Sequence, residues 1–137
     1  MRDQLGQFDS AGVRVACVVQ GTAEEAARFC GRHSIEKLCI PDPEKQSFRA
    51  MGFPRTRWRD ILLASKELRE RRKEANEAGC GISVKGTLQK HSDVLQLPGA
   101  ALVAPGGRIL WLHRGTHPAD LPSADELLQV VSENLRN

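Results

Sequence analysis

Long apolar runs are missing from this chain of 137 residues. No stretch approaches the roughly 20 consecutive apolar residues that a membrane-spanning helix needs, so we expect no membrane segment. The first residues, MRDQLGQF, are too polar for a secretory signal peptide. Cysteines taken as unpaired, together with the absence of such a signal, predict a reducing compartment and hence a cytoplasmic protein.

Closely spaced cysteines are also missing. The four cysteines stand at 17, 30, 39 and 80 and form no Cys-x-x-Cys pair, which excludes a thioredoxin-type dithiol and a zinc knuckle. His113 and His117 are four apart, but His113 ends a predicted strand, so the two do not share a helical face as a zinc-binding pair would. A glycine-rich phosphate loop is absent as well. We therefore expect no metal and no cofactor.

A strong excess of one charge is absent too, since the formal net charge is only +3. The most charged stretch, Lys66 to Glu77, mixes both signs at i,i+4 spacing, which is typical of a solvated helix. Nucleic acid is not an expected partner, because dedicated binders concentrate more positive charge. As an alternative, a cluster of arginines around one tryptophan could form a binding surface that suits a phosphate or an acidic partner. This arginine cluster consists of Arg49, Arg55, Arg57, Trp58 and Arg59.

The sequence does contain clear signals for strands and helices in its last third. Residues 97 to 114, LPGAALVAPGGRILWLHR, spell two apolar strands joined by a Pro-Gly-Gly turn, which predicts a β-hairpin. Ser123, with Glu126 three residues on, forms a capping box that predicts a C-terminal helix. The order in this third is therefore strand, strand, helix.

The first half shows the complementary pattern. Val13 to Val19 is apolar on both faces, which predicts an internal parallel strand covered by helices on both sides. A helix over about Ala23 to Cys30 follows, with a capping box formed by Thr22 and Glu25. Further predicted elements are a helix ending near Gly12, a short apolar run over Lys37 to Ile40, a helix from Pro43 to Gly52, a long helix over Trp58 to Ala78 and a loop over residues 79–96.

Two blocks of the sequence carry a family resemblance. IPDPEKQSFRAMGF, and much later QLPGAALVAPGGRILWLHRGTHPADLPSADELL, resemble the peroxiredoxin-like branch of the AhpC/TSA thioredoxin-fold family, in order and over nearly the whole chain. The resemblance implies an α/β fold, a thioredoxin-like three-layer sandwich in one domain over residues 1–137, with the charged helix as an insertion. It also implies a thiol redox protein of the antioxidant type, which reduces peroxide or a disulfide and has a thiol electron donor as partner.

The resemblance further implies a central strand and a redox cysteine at the start of the first helix, where a helix N-terminus favours the thiolate. Met1 already matches the second half of that helix, so we expect an N-terminally truncated fold without the family's activity. The implied strand would lie between Val13–Val19 and Ala100–Ala104, which leaves their edges unpaired. Three outcomes are open: the two strands pair directly, a second copy fills the gap in a homodimer, or the chain is a fragment.

The cysteines in the chain differ in their surroundings. Cys17, Cys30 and Cys39 lie in apolar strands or on an alanine stripe, which predicts buried structural thiols. Cys80 stands between two glycines in a predicted polar loop, so we expect it to be exposed and conformationally free. We therefore take Cys80 as the candidate catalytic or resolving thiol.

Pro98 is the candidate substrate-facing residue by resemblance. Thioredoxin folds often place a cis proline just before the strand that faces the active cysteine. The alternative is an ordinary trans proline at the start of an edge strand.

Two classes of function remain open on the sequence. The first is a peroxiredoxin-like redox protein, which rests on the resemblance. The second is a non-catalytic thioredoxin-fold module that binds a partner through the arginine cluster or through an exposed sheet edge.

Overall fold

Helices and strands alternate in the first part of the described chain, and two consecutive helices, a β-hairpin and a last helix follow. A computed structural model describes residues 4–63, 66, 69, 70, 73 and 93–136. The elements are α1 (Leu5–Ser10), β1 (Cys17–Val19), α2 (Ala23–His33), β2 (Cys39–Pro41), α3 (Gln46–Ala50), α4 (Trp58–Leu63), β3 (Gly99–Val103), β4 (Ile109–Arg114) and α5 (Ala124–Leu135). The mixed α/β class predicted from the sequence is confirmed. Cys80 and most of the predicted helix beyond α4 lie outside the described residues.

Both predicted capping boxes are present. The Thr22 hydroxyl accepts a hydrogen bond from the Glu25 backbone N–H (3.3 Å), and the Glu25 carboxylate accepts one from the Thr22 N–H (2.8 Å). Ser123 and Glu126 form the same pair of bonds at the start of α5. α2 continues past its predicted end at Cys30 and stops at His33. Local hydrogen bonding therefore sets where both helices begin.

The described strands form two separate two-stranded sheets. β1 and β2 pair in parallel, and β3 and β4 pair antiparallel as the predicted hairpin. β1 and β3 do not pair with each other, so direct pairing, the first of the three open outcomes, does not occur. Within the described chain, each of them consequently has one edge without a strand partner.

The expected two-sided burial of the first strand is also wrong. Only Cys17–Val19 forms a strand, and Val18 is 37% exposed while Ile40, its neighbour on β2, is 50% exposed. α2 contacts β2 on the face that carries Cys17 and Cys39, and side chains alternate between the faces of a strand. Val18 and Ile40 therefore form an apolar pair on the face opposite α2.

The main core joins the first helix to the last third of the chain. Phe8 of α1, Leu102 of β3, and Ala124 and Val131 of α5 are each at most 9% exposed. Val13 and Val15, which lead into β1, pack against the same cluster together with residues of β4 and α5. Burial of a side chain such as Phe8 contributes about 1.5–3 kcal/mol. This core holds α1, the hairpin and α5 in one unit.

Two backbone hydrogen bonds connect the residues before α4 to the residues before β3. The Thr56 N–H donates to the Leu95 carbonyl oxygen (2.8 Å), and the Leu97 N–H donates to the Pro54 carbonyl oxygen (3.0 Å). Leu97 is 3% exposed, so its side chain is anchored in the interior. We call this antiparallel contact the base clamp, because it joins the two ends of residues 57–92, the stretch that begins with α4 and ends before β3.

Asp93 lies beside the base clamp and connects three segments. Its carboxylate accepts hydrogen bonds from Lys45 Nζ (2.6 Å) and from Arg55 Nε and Nη2 (2.9 and 3.2 Å). Its backbone N–H donates to Gln20 Oε1 (2.9 Å) at the end of β1. Burial acts to raise the pKa of Asp93, but the hydrogen bonds from Arg55, Lys45 and the Leu95 N–H outweigh it and lower the pKa to about 2.

Gly115, directly after β4, is expected to tolerate no side chain. A Cβ there would lie 2.7 Å from the Pro98 carbonyl oxygen and 2.9 Å from that of Asp120, and both are backbone atoms. Gly115→Ala should therefore lower the free energy of unfolding by about 1–3 kcal/mol, measured by urea denaturation.

Gly6 in α1 is the matched control for this substitution. No atom lies within 4 Å of a Cβ built at Gly6, so Gly6→Ala should raise stability by about 0.5–1 kcal/mol through helix propensity. Changes of the same sign and size at the two glycines would contradict the close-contact explanation for Gly115.

Candidate redox site

Cys30 and Cys39 form a disulfide. Cys30 lies near the C-terminal end of α2 and is fully buried, and Cys39 is the half-buried first residue of β2; their Cα atoms are 6.5 Å apart. A 3₁₀ turn over Glu36–Leu38 returns the chain from the helix to the strand. The expectation of free structural thiols is therefore wrong for these two residues. An apolar pattern around each cysteine predicts burial, but it does not report the packing of α2 on β2 that brings the sulfurs together.

The disulfide also weakens the argument for a reducing compartment. That expectation relied on unpaired cysteines, whereas disulfides persist mainly in oxidising compartments or take part in redox chemistry. The cytoplasmic location stays a prediction, and the cysteines no longer support it.

Cys17 is the third sulfur in this part of the molecule. It is half-buried on β1, in register with Cys39, and it is the one free cysteine among the described residues. Register partners in neighbouring strands project to the same face, so Cys17 and Cys39 both lie on the side of α2. Burial raises the pKa of the Cys17 thiol, because an apolar environment disfavours the thiolate.

A shallow cavity of about 230 Å³ adjoins the disulfide. Its lining consists of Ala23, Ala26, Ala27, Cys30, Glu36, Cys39 and Pro41. The alanine stripe of α2, predicted as a core-facing stripe, borders this cavity. Because these side chains are single methyl groups, they leave Cys39 accessible to a small reactant from this side.

The structure describes one of the two residues that the sequence singled out. Pro98 precedes β3 and has a trans peptide bond, since no cis bond occurs among the described residues. Its carbonyl oxygen accepts a hydrogen bond from the Gly115 N–H (2.8 Å), which supports the alternative of an ordinary proline before a strand. A substrate-facing role for Pro98 stays a prediction, and Cys80 lies outside the described residues.

A second polar group, which the sequence patterns did not reveal, lies at the end of the hairpin. His113 Nε2 is 3.1 Å from Oδ1 of Asp120, and the Trp111 ring stacks on the His113 ring with centroids 6.1 Å apart. Hydrogen bonds from the Thr116 N–H and hydroxyl lower the pKa of Asp120, with burial acting in the opposite direction. The pair connects β4 to the segment before α5. In the described part of the chain, no group of three metal-ligating side chains occurs.

The arginine cluster is divided in the structure. Arg55 is engaged with Asp93, and Arg59 Nε lies 3.6 Å from Oδ1 of Asp60. Trp58 is 62% exposed, and Arg57 beside it is exposed. Arg57 and Trp58, at the start of α4, therefore remain as a surface for a partner, and Arg49 of α3 is exposed as well.

Comparisons with known proteins identify the family of this chain. No curated protein and no solved structure matches it. None of the described helices is long and apolar enough to cross a membrane. The family model of AhpC/TSA antioxidant enzymes matches residues 1–117, from α1 through β4. This match includes the three clustered cysteines, both sheets and the hairpin, and we conclude that the chain belongs to the peroxiredoxin-like, thioredoxin-fold AhpC/TSA antioxidant enzyme family.

Proposed function

We propose that this chain is a thiol–disulfide redox protein of the peroxiredoxin-like type, in which Cys30 and Cys39 are the redox pair. The observation that carries the proposal is the Cys30–Cys39 disulfide beside an accessible cavity. A thioredoxin-like three-layer arrangement, with the two small sheets as halves of one layer, belongs to the same proposal. The core that joins α1, the hairpin and α5 supports it.

The proposed reaction follows from the different exposure of the two sulfurs. Cys39 is half-buried and Cys30 is fully buried, so a donor thiolate attacks Sγ of Cys39. The bond between the two protein sulfurs breaks, and Cys30 leaves with the electron pair and takes up a proton. The second thiolate of a dithiol donor then displaces Cys39, which leaves the donor oxidised and the protein pair reduced by two electrons. The reverse sequence passes these electrons to a disulfide substrate.

The same geometry disfavours fast peroxide reduction by the described cysteines. A helix N-terminus lowers the pKa of a thiol, but Cys30 lies near the C-terminal end of α2, where the carbonyl groups disfavour a thiolate. Burial raises the pKa of Cys17. We therefore infer that the chain prefers disulfides to peroxides. The sequence instead predicted the loss of the family's activity as a whole, because no cysteine matches the redox position, and the proposed pair departs from that prediction.

The reduced chain should lose thiols faster with a small disulfide than with hydrogen peroxide at equal concentration. The experiment reduces the chain with dithiothreitol, removes the reductant and adds oxidised glutathione or hydrogen peroxide. Alkylation and mass spectrometry then count and locate the remaining thiols over time. With the glutathione disulfide, the loss should occur as a pair, at Cys30 and Cys39, because the two sulfurs are already positioned to bond.

Two variants separate this proposal from its alternatives. Cys39→Ser removes the pair and should abolish the two-thiol reaction. Cys80→Ser tests the candidate from the sequence: loss of the reaction in Cys80→Ser, with Cys39→Ser unaffected, would place the chemistry at Cys80 and contradict the proposed pair. Thiols that stay reduced with both oxidants would favour a binding function instead.

A non-catalytic binding role is the second proposal, and the open strand edges support it. β1 and β3 each have a strand partner on only one side in the described chain. Val18 and Ile40 expose apolar surface on the β1–β2 sheet, and Trp58 with Arg57 exposes a mixed apolar and basic surface at α4. The β1–β2 sheet, with its open edge and its apolar pair, suits a second copy of the chain in a homodimer. The surface at α4 suits an acidic partner.

A further inference from the structure

Three cysteines meet at the contact between α2 and the β1–β2 sheet. The Cys30–Cys39 disulfide crosses from the helix to the sheet, and Cys17 is the register partner of Cys39 on the neighbouring strand. Cys39 faces α2, because it bonds to a residue of that helix. Cys17 lies on the same face, because register partners in a pleated sheet project together.

The spacing of the strands is compatible with a bond between Cys17 and Cys39. Neighbouring strands lie about 4.7–4.9 Å apart, and disulfides form between Cα atoms about 4.4–6.8 Å apart. The observed bond between Cys30 and Cys39 spans 6.5 Å, near the upper end of that range. By the Cα criterion, Cys39 therefore has two cysteine neighbours to which a disulfide can form, and it can bond to only one of them at a time.

The geometry points to Cys17 as a third member of the redox centre, which exchanges with the Cys30–Cys39 disulfide. The Cys17 thiolate attacks Sγ of Cys39, the bond between Cys39 and Cys30 breaks, and a bond between Cys17 and Cys39 forms. The electron pair leaves on Cys30, which takes up the proton that Cys17 released. No oxidant or reductant is consumed, so the oxidised chain exists as two disulfide isomers.

This exchange gives the proposed function, on which it rests, a second way to resolve a mixed disulfide. A donor thiol attached to Cys39 can be displaced by Cys30, which restores the first isomer, or by Cys17, which produces the second. Because Cys30 is fully buried, the second isomer stores its free thiol inside the protein. The first isomer instead leaves the half-buried Cys17 free.

A half-buried cysteine beside valines can also act only as a small apolar side chain. In that case Cys17 would keep its thiol in every oxidation state of the other two cysteines. The disulfide connectivity therefore distinguishes an exchanging cysteine from a packing one.

The chain allows a direct measurement of this connectivity. Trypsin cleaves after Arg and Lys, which places Cys17 in residues 15–28, Cys30 in residues 29–32, Cys39 in residues 38–45 and Cys80 in residues 74–85. The oxidised full-length chain is held at pH 6, 7 or 8, quenched in acid, alkylated and mapped without reduction. The same mapping is applied to Cys30→Ser after oxidation with oxidised glutathione, with Cys17→Ser as the matched control.

We expect the linked peptides 15–28 and 38–45 in the wild-type chain and, as the main product, in Cys30→Ser. Exchange needs the thiolate of Cys17, so the second isomer should form about tenfold faster for each unit of pH over this range. Cys17→Ser should show only the link between 29–32 and 38–45.

The inference is overturned if Cys17 is alkylated in full in both the wild-type chain and Cys30→Ser, or if Cys39 of Cys30→Ser pairs with Cys80. Either result leaves the Cys30–Cys39 pair of the proposed function untouched. Absence of a link between 29–32 and 38–45 in the oxidised wild-type chain and in Cys17→Ser would contradict the proposed function itself. In that case the disulfide connectivity of Cys30→Ser would still test the role of Cys17 separately. If Cys30→Ser does not fold, the disulfide map of the wild-type chain tests that role instead.

Discussion

Serine in place of Cys39 should lower the free energy of unfolding of the oxidised chain by about 2–3 kcal/mol. The Cys30–Cys39 bond closes a loop between residues that are nine apart in sequence, and this restricts the unfolded chain more than the folded one. Cys39→Ser also removes the Cys17–Cys39 isomer, so no alternative bond to this position replaces the lost one. Urea denaturation of the wild-type chain and the variant, each with and without reductant, measures the change.

Reductant provides the internal control for this prediction. In its presence the free energy of unfolding of the wild-type chain should fall close to that of Cys39→Ser, because neither protein then contains the Cys30–Cys39 bond. Cys17→Ser keeps the Cys30–Cys39 bond, so its unfolding should still respond to reductant as the wild type does. A wild-type unfolding midpoint that is the same with and without reductant would show that the disulfide contributes nothing to stability.

Asparagine in place of Asp93 should cost about 2 kcal/mol at pH 7 and almost nothing below pH 2. The pKa of Asp93 is lowered to about 2 in the folded chain from an ordinary value of 3.8. A carboxyl group with a lowered pKa adds stability above its unfolded pKa and loses that contribution as the pH falls. The difference between the wild type and Asp93→Asn should therefore shrink between about pH 4 and pH 2.

Asp60→Asn is the matched control for the charge at position 93. The side chain of Asp60 is 49% exposed, and its ion pair with Arg59 is long at 3.6 Å. Exposed pairs of this kind contribute about 0–1 kcal/mol, so this variant should stay near the wild type at every pH. A difference between wild type and Asp93→Asn that does not change from pH 7 to pH 2 would show that the amide perturbs packing rather than the ionic contacts with Lys45 and Arg55.

Local sequence signals predicted the starts of two helices and the position of the hairpin. The capping boxes at Thr22 and Ser123 place the starts of α2 and α5 correctly, because their hydrogen bonds join residues only three positions apart. The Pro-Gly-Gly turn predicts the hairpin for the same reason, since Gly106 and Gly107 both adopt positive φ in the turn. Such features depend on a few neighbouring residues and can be recognised in a single sequence.

Contacts between distant residues were not predictable in this way. Asp93 meets Lys45 and Arg55 across 48 and 38 residues of sequence. The disulfide is closer in sequence, but it depends on the angle at which the chain leaves α2 and on the 3₁₀ turn before β2. The apolar run through Val18 likewise suggested burial on both faces, although among the described elements a helix covers only one of them and Val18 is exposed on the other.

The base clamp joins the two ends of residues 57–92, so the closure of this stretch depends on only a few contacts. Two backbone hydrogen bonds and the ion pair of Arg55 with Asp93 connect the residues on either side of this stretch. Once the two ends are joined, doubling the number of residues between them adds only about 0.6 kcal/mol of closure entropy. By closure entropy alone, a change in the length of this stretch therefore costs little free energy, and both the cysteine centre and the hairpin lie outside the two joined ends.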